Sequence, residues 1–323
     1  MRILGVVALV ALSGACVSGG ADVSDPVPTL FEDPVPEIDT EPSEPASSTS
    51  SSSTVPISER LPLLAQEFPG AVVTADGVLL PITGTDGDVW FVLGPCGEER
   101  IEPSGSAMLA TAQHVVLDPG GNDDGAARTN LAVAQRTAEL LEAEGVVVAL
   151  TRLGPAELAA ETRGAVGPAL GAVAFVSIHR GEIDAGRTDQ ALPAVFHRAD
   201  DGASRRLAGL IHEEVAAAFA DAGVELGTHA EPGVRPLLNQ RGDDYFRVLQ
   251  TSAGTAGARV EMLGAGQNDT TLLSAEEGRD IEAQALADAL VRFLVSEEEG
   301  SGFIDSAEAV RTAPTTDSPG GCG

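Results

Sequence analysis

Short apolar runs alternate with stretches of helical periodicity between about residues 114 and 294. The run at 115–117 is followed by Asp118, Pro119 and Gly120, which indicates a buried strand that ends at a turn. Thr129 or Asn130 can then cap a helix, because apolar positions recur at helical spacing over residues 131–141, with Gly145 past its end. A second apolar run, at 146–150, completes a strand–helix–strand unit. Because open parallel sheets bind ligands at the carboxyl ends of their strands, the turn at 118–121 is the first candidate for a functional site.

The alternation continues to the end of this region. It predicts a helix from Pro155 to about residue 169, a buried strand at 173–178 that ends at His179, further strands at 192–196, 246–249 and 258–263, and helices that begin at Ser204 and Ser274. Alternating strands and helices favour an α/β domain with a mostly parallel sheet and helices on both faces.

A different pattern precedes this domain. Short apolar runs broken by Asp-Gly turns at 71–101 predict a small β-rich module. Trp90 is interpreted as a core residue of this module, and a tryptophan that stacks on a glycan is the alternative. A short helix is predicted at 57–68.

The chain begins with the features of an export signal. Arg2 precedes an apolar run at 3–12, and small residues precede Cys16. This arrangement resembles a bacterial lipoprotein signal, in which the cysteine is lipidated; cleavage by ordinary signal peptidase is the alternative. Residues 17–56 are rich in Ser, Thr, Pro and acidic residues, which indicates a disordered tether. The predicted division is therefore 1–16 signal, 17–56 linker, 57–110 β-rich module, 111–296 α/β domain and 297–323 a tail of low order.

Charge restricts the partners of this protein. The 323 residues carry a formal net charge of −30 and include no lysine. A field of that sign opposes binding to nucleic acid and to anionic lipid surfaces, so we expect membrane contact only through a lipid anchor. Besides Cys16, the chain has Cys96 and Cys322. These two can pair in an oxidising compartment, although the sequence does not show that they meet.

Two polar residues stand where chemistry is expected. His179 follows a buried strand, so its imidazole can face the crevice at the strand ends. Glu261 follows the apolar Val260 in a short strand, where a carboxylate is costly unless it is paired, ligated or reactive. A salt bridge from Glu261 to Arg259 or Arg247 is the alternative. A metal-bound water with a carboxylate to accept its proton would hydrolyse a peptide-like amide.

An ordered set of motifs resembles the zinc-dependent N-acetylmuramoyl-L-alanine amidases of bacterial cell walls. The matching pieces, in order, are residues 115–120, 130–134, Thr151-Arg152, Arg163, Ser177-Ile178-His179, 204–210, Val260-Glu261, Asn268 and Leu272-Leu273. The resemblance implies an α/β sheet, one zinc ion, and hydrolysis of the amide between N-acetylmuramic acid and L-alanine in peptidoglycan. It also implies that His179 is a zinc ligand and that Glu261 is the catalytic glutamate.

The sequence departs from this family at two ligand positions. The family has a histidine after Asp-Pro-Gly, where this chain has Gly121. It also has a glutamate ligand before the first helix, where residues 125–128 contain no carboxylate. Two of the three metal-ligand positions are therefore missing, and weak zinc binding is predicted. Asp123 and Asp124 are candidate substitutes, although an Asp-Asp-Gly run is also ordinary turn chemistry. The two remaining function classes are a zinc hydrolase with an altered site and a non-catalytic homologue that binds peptidoglycan or regulates another hydrolase.

Overall fold

A small antiparallel sheet comes first in the computed structural model, which describes residues 70–103, 108–121, 125–180, 192–223, 233–263 and 275–304. Its strands are β1 (Ala71–Val73), β2 (Leu79–Asp86), β3 (Val89–Leu93), β4 (Glu99–Pro103) and β5 (Met108–Ala110), in the order β4-β3-β2-β1-β5. Trp90 is buried with Val72, Leu80 and Val92 in the core of this sheet. The predicted β-rich module and the core position of Trp90 are confirmed.

A six-stranded sheet forms the centre of the α/β domain. Its strands are β6 (Val115–Pro119), β7 (Val148–Leu150), β8 (Ala174–Arg180), β9 (Leu192–His197), β10 (Gly233–Arg235) and β11 (Ala256–Leu263), in the order β10-β9-β11-β8-β6-β7. The strands β7, β6, β8 and β11 are parallel, and β9 is antiparallel to β11. The predicted mostly parallel sheet is confirmed, with one antiparallel junction.

Helices cover both faces of the large sheet, as predicted. They are α1 (Gly125–Ala143), α2 (Ala160–Ala169), α3 (Gly202–Asp221), α4 (Arg247–Thr251) and α5 (Glu276–Val295). One face buries α1, α3 and α5 against alternate strand residues such as Leu117, Ile178 and Val260. The opposite face, which carries Val116 and Phe175, packs against α2, α4 and the small sheet. Because side chains alternate along a strand, Asp118, Ser177 and His179 lie on this second face.

Several predicted elements differ from the structure. The first helix begins at Gly125, before its expected cap at Thr129 or Asn130, and the helix expected to begin at Ser204 begins at Gly202, with Asp201 as its cap.

The predicted strand at 246–249 is wrong, because Arg247–Thr251 forms the helix α4. A short apolar run suits a buried helical turn as well as a strand, and here it buries Val248 and Leu249. The helix predicted from Pro155 begins only at Ala160, since Ala159 is extended and its N–H donates to the carbonyl of Pro95, 2.7 Å away.

The signal, the tether and the helix predicted at 57–68 lie outside the described residues. No helix in the described ranges combines the length and the hydropathy that crossing a membrane requires.

Candidate functional site

Three adjacent parallel strands, β6, β8 and β11, end at the same edge of the large sheet. Asp118 on β6 is in register with Ser177 on β8, and His179 on β8 is in register with Glu261 on β11. In-register residues on parallel strands share a face, and neighbouring strands lie about 4.8 Å apart. The strand register therefore brings His179 and Glu261 side by side at the carboxyl edge, next to the turn that begins with Pro119.

A buried carboxylate organises the side chains beneath this edge. Asp118 is 0% exposed, and its Oδ1 accepts a hydrogen bond of 2.7 Å from Thr151 Oγ1. Its Oδ2 accepts hydrogen bonds of 2.6 Å from Arg163 Nη1 and from Ser177 Oγ. Burial of a carboxylate is costly without such partners, and here one cation and two hydroxyl groups satisfy it. Asp118 thereby fixes the position of Ser177.

His179 stands directly above Ser177 in this arrangement. Its Nε2 lies 2.9 Å from Ser177 Oγ, and its ring packs against Gly120. A Cβ on Gly120 would lie 2.1 Å from both Cε1 and Nε2 of His179, so only glycine fits beside the ring. The single hydroxyl proton of Ser177 is donated to Asp118, which is acceptor-only in its ion pair with Arg163. Ser177 Oγ can then only accept from His179, so Nε2 carries the ring proton and Nδ1 carries the lone pair.

The surroundings of His179 are cationic. Burial lowers its pKa well below the ordinary 6.5, and the positive charges of Arg259, Arg163 and Arg152 lower the pKa further. The imidazole is therefore neutral at neutral pH.

Glu261 is paired with a neighbour on its own strand. Its Oε1 lies 3.1 Å from both Nε and Nη2 of Arg259, whose guanidinium lies 4.1 Å from the ring centroid of Phe246. Arg247, the alternative partner for Glu261 in the sequence, instead lies 3.9 Å from Glu161. The carboxylate predicted to be catalytic thus has a close cation, and both side chains of the pair are almost buried.

Comparison with known proteins identifies a family whose members share the segment that forms this edge of the sheet. The model of a family described as N-acetylmuramoyl-L-alanine amidase matches residues 115–292, which is more than half of the chain. The chain belongs to the N-acetylmuramoyl-L-alanine amidase family. The matched segment contains the turn after β6 as well as Ser177, His179 and Glu261.

Solved structures of amidases are similar to part of the chain. An N-acetylmuramoyl-L-alanine amidase from Clostridium difficile 630 is 19% identical, with a TM-score of 0.48, and the match covers 58% of this chain and 100% of that one. The amidase AmiC2 of Nostoc punctiforme is 26% identical, with a TM-score of 0.44, and the match covers 56% and 96%. The catalytic domain of CwlV from Bacillus (Paenibacillus) polymyxa var. colistinus is 22% identical, with a TM-score of 0.45, and the match covers 56% and 97%. Comparison with curated protein sequences finds no match.

The amidase family is generally zinc-dependent, and the described residues do not fit a catalytic zinc ion. Such an ion takes three protein ligands and leaves a fourth position for water. Within the described ranges, no group of three His, Cys, Asp or Glu side chains comes together. Gly121, where the family's histidine would stand, has a φ of 88°, which strains any L side chain. The candidate substitutes Asp123 and Asp124 lie outside the described residues.

Three polar residues next to the site are not among the candidate site residues that the sequence indicates. They are Asn130 on α1, Arg180 at the end of β8 and Glu282 on α5. Asn130 lies within a matching motif, where it was expected only to cap the first helix, and Arg180 directly follows another motif. Glu282 had one usable signal, because it precedes Leu286 and Leu290 at helical spacing and thus places a carboxylate on an apolar stripe.

Proposed function

We propose that this chain is an exported cell-envelope member of the amidase family that binds peptidoglycan without zinc-dependent hydrolysis. Peptidoglycan is the substrate of the amidase family, which supports the choice of ligand. The observation that carries the proposal is the set of side chains around His179: in the described residues His179 is not part of a group of three metal-ligating side chains, and Arg259, Arg163 and Arg152 are close enough to lower its pKa. One histidine with solvent holds zinc little better than water does.

A second candidate function is the family reaction, hydrolysis of the amide between N-acetylmuramic acid and L-alanine. The register of His179 with Glu261 favours it, because a candidate ligand and a candidate general base then lie side by side. Carboxylates from Asp123 and Asp124 would have to complete the metal site. In that case His179 would hold the ion and Glu261 would take the proton of the attacking water.

Sedimentation with purified peptidoglycan separates the two candidates when combined with analysis of the soluble products. We expect the mature chain to sediment with peptidoglycan and to release no peptides, whether zinc or a chelator is present. An intact zinc amidase serves as the positive control for peptide release. Zinc-dependent release that is lost in His179→Ala would establish the hydrolase instead, and loss in Asp123→Ala and Asp124→Ala would identify the substitute ligands. Failure to sediment would refute peptidoglycan binding.

We also propose that Cys16 carries the lipid that anchors the protein, with residues 17–56 as the tether between anchor and domains. The small residues before Cys16 and the composition of the tether support this. The proposed order after the tether is the β-rich module at 57–110, the amidase-like domain at 111–296 and the tail at 297–323. In a bacterium that processes lipoproteins, the full chain should fractionate with membranes and Cys16→Ala should not. Equal solubility of the two would rule out the anchor.

A further inference from the structure

The segment that follows α5 returns to one edge of the large sheet. β10 is the last strand on that side, and the N–H of its Val234 donates to the carbonyl of Gly302 at 2.8 Å. The N–H of Ile304 in turn donates to the carbonyl of Val234 at 3.1 Å, and Val234 forms a parallel bridge with Phe303. We call residues 299–304 the strap. It covers hydrogen-bonding groups that an edge strand otherwise presents to solvent, and it lies beyond residue 292, where the match to the amidase family ends.

The strap lies against α3 through backbone contacts that leave no room for side chains. A Cβ on Gly209 of α3 would lie 2.5 Å from Cζ of Phe303, and a Cβ on Gly300 would lie 2.2 Å from the carbonyl carbon of Gly209. The N–H of Ser301 donates to the carbonyl of Gly209 at 3.2 Å. The guanidinium of Arg205 lies 3.6 Å from the ring centroid of Phe303, which is a cation–π contact. These contacts give the strap one defined position on α3.

His212 lies one turn further along α3, in contact with the strap. A Cβ on Gly302 would lie 2.1 Å from Nδ1 and 2.4 Å from Cε1 of His212, so the imidazole touches the backbone of the strap. The Nδ1 atom is buried, and within the described ranges it has no hydrogen-bond partner. Burial lowers the pKa of His212, whereas the negative charge of Glu213 raises it by a smaller amount. The docked strap therefore suits a neutral imidazole, because a charged ring would be desolvated with no acceptor for Nδ1 among the described residues.

The charged groups of the elements around His212 form ion pairs with one another. They are Arg205, Arg206, Glu213 and Glu214 on α3, Arg292 on α5, Glu298 before the strap and Glu299 at its start. Arg292 binds Glu213 at 2.9 Å, Glu298 at 2.6 Å and also Glu214, while Arg205 lies 3.9 Å from Glu299. Hydrogen bonds from Arg292 and from Ser301 of the strap lower the pKa of Glu213. The charged residue of β10, Arg235, lies on the other face of the sheet with Phe196. Among these groups, histidine is the side chain whose ordinary pKa lies between about pH 5 and 8.

We propose that the strap is a pH-sensitive cover of β10, docked on the neutral ring of His212 and released when that ring takes up a proton. Once the strap has left, the ring is hydrated and titrates near its ordinary pKa of 6.5, whereas contact with the strap lowers the pKa. Docking is therefore complete above pH 6.5 and weakens as the pH falls below that value, by up to about tenfold per pH unit. Release exposes N–H and C=O groups of β10, with which another extended chain can pair. The proposal goes beyond peptidoglycan binding and does not depend on it.

Hydrogen exchange of the full mature chain, corrected for the intrinsic exchange rates of the amides, tests the release. Between about pH 6.5 and 5.0, the wild-type peptides that contain residues 233–235 and 299–304 should lose protection by up to about thirtyfold. In His212→Gln, whose side chain stays neutral, protection of the same peptides should not change over this range. His197→Gln is the matched control, because burial also lowers the pKa of His197 but this residue lies at the end of β9. It should lose protection at the strap as the wild type does.

The same linkage should appear in reverse in the pKa of His212, because a proton that weakens docking of the strap must bind more tightly when the strap is displaced. Gly302→Ala puts a Cβ against the ring at a φ of 86°, so it should displace the strap at every pH. The pKa of His212, measured by NMR titration, should then rise towards 6.5. Gly202→Ala at the start of α3 is the control, because no heavy atom of the described residues lies within 4 Å of the added Cβ. It should leave the pKa of His212 unchanged.

Three results would overturn the proposal. They are a strap that keeps its protection at acidic pH in the wild type, an equal loss of protection in the wild type and His212→Gln, and a pKa of His212 that is the same in the wild type and Gly302→Ala. If His212→Gln fails to fold, the titration of Gly302→Ala still decides the question. None of these results alters the expected sedimentation with peptidoglycan at neutral pH, so failure here and failure of the proposed function are distinguishable.

Discussion

The ring proton of His179 is assigned by counting donors around Ser177. Ser177 has one hydroxyl proton and gives it to Asp118, so His179 must donate from Nε2. We expect nitrogen chemical shifts of the wild-type imidazole to report a neutral ring protonated at Nε2. In Ser177→Ala this preference should weaken, while Ser252→Ala, which removes another buried hydroxyl, should leave it unchanged. A ring protonated at Nδ1 in the wild type would contradict the assignment.

The lowered pKa of His179 has a defined effect on stability. The unfolded chain takes up a proton near pH 6.5, whereas the folded imidazole remains neutral to a much lower pH. The contribution of the neutral imidazole to the free energy of unfolding is therefore fully present above pH 6.5. It is lost as the pH falls below that value, by up to about 1.4 kcal/mol per pH unit. Urea unfolding of His179→Gln should show a correspondingly weaker loss of stability on acidification. The lowered pKa values of His197 and His212 act in the same direction and persist in both proteins, so the difference isolates His179. If the free energies of unfolding of the wild type and His179→Gln fell in parallel with pH, this prediction would be refuted.

Candidate site residues could be found from the sequence only where a polar residue near the end of a predicted strand also matched a family motif. His179 and Glu261 each stand near the end of an apolar run, and parallel strands with a common edge then imply that they meet. The supporting contacts could not be predicted, because they depend on register and on rotamers. The bond from Thr151 to Asp118 joins residues 33 positions apart, and the pair of Arg180 and Glu282 joins residues 102 positions apart.

At the scale of the elements, glycine is required at position 120 in the turn after β6 but not at position 125, where α1 begins. Gly120→Ala would place a Cβ against the ring of His179, so we expect a loss on the order of 2 kcal/mol and displacement of the imidazole. Gly125→Ala at the start of α1 is the control, because among the described residues the heavy atom nearest to the added Cβ is Nη2 of Arg128 at 4.0 Å. That change should be neutral or slightly stabilising, since alanine favours helix. Chemical denaturation of both variants tests the contrast, and equal effects would argue against close packing at Gly120.

Elements were predictable from the sequence where their pattern was long, and less so where it was short. The first helix follows from a sustained pattern, and Gly145 lies just past its end with a φ of 79°. The strands at 115–119 and 174–180 follow from apolar runs that stop at a turn or at a polar residue. The short run at 246–249 was ambiguous because one helical turn and one short strand bury similar side chains. The late start of α2 depends on the hydrogen bond from Ala159 to Pro95 in the connection between β3 and β4, a long-range contact that hydrophobic periodicity does not predict.

At the scale of the whole chain, an acidic overall composition is combined with a cluster of buried arginines. Although the net charge is −30, the buried face of the large sheet concentrates the cations Arg152, Arg163 and Arg259 near His179. Arg163 is paired with Asp118 and Arg152 donates to the carbonyl of Pro119, both in a distant segment, whereas Arg259 is paired with Glu261 on its own strand. Net charge therefore indicates which charged partners the protein surface repels. It says little about the electrostatic field around His179.

The cysteines give the last prediction for the whole molecule. Cys96 lies between β3 and β4 and is disulfide-bonded. The chain has two other cysteines, Cys16 and Cys322, and lipidation of Cys16 would leave Cys322 as the partner. We expect peptide mapping without reductant to recover a Cys96–Cys322 pair. Cys96→Ser, Cys322→Ser and their combination should lose equal stability, on the order of 2–4 kcal/mol, because each removes the same covalent constraint. A Cys96–Cys16 peptide would refute both the pairing and the proposed anchor, because a thiol in a disulfide cannot carry lipid.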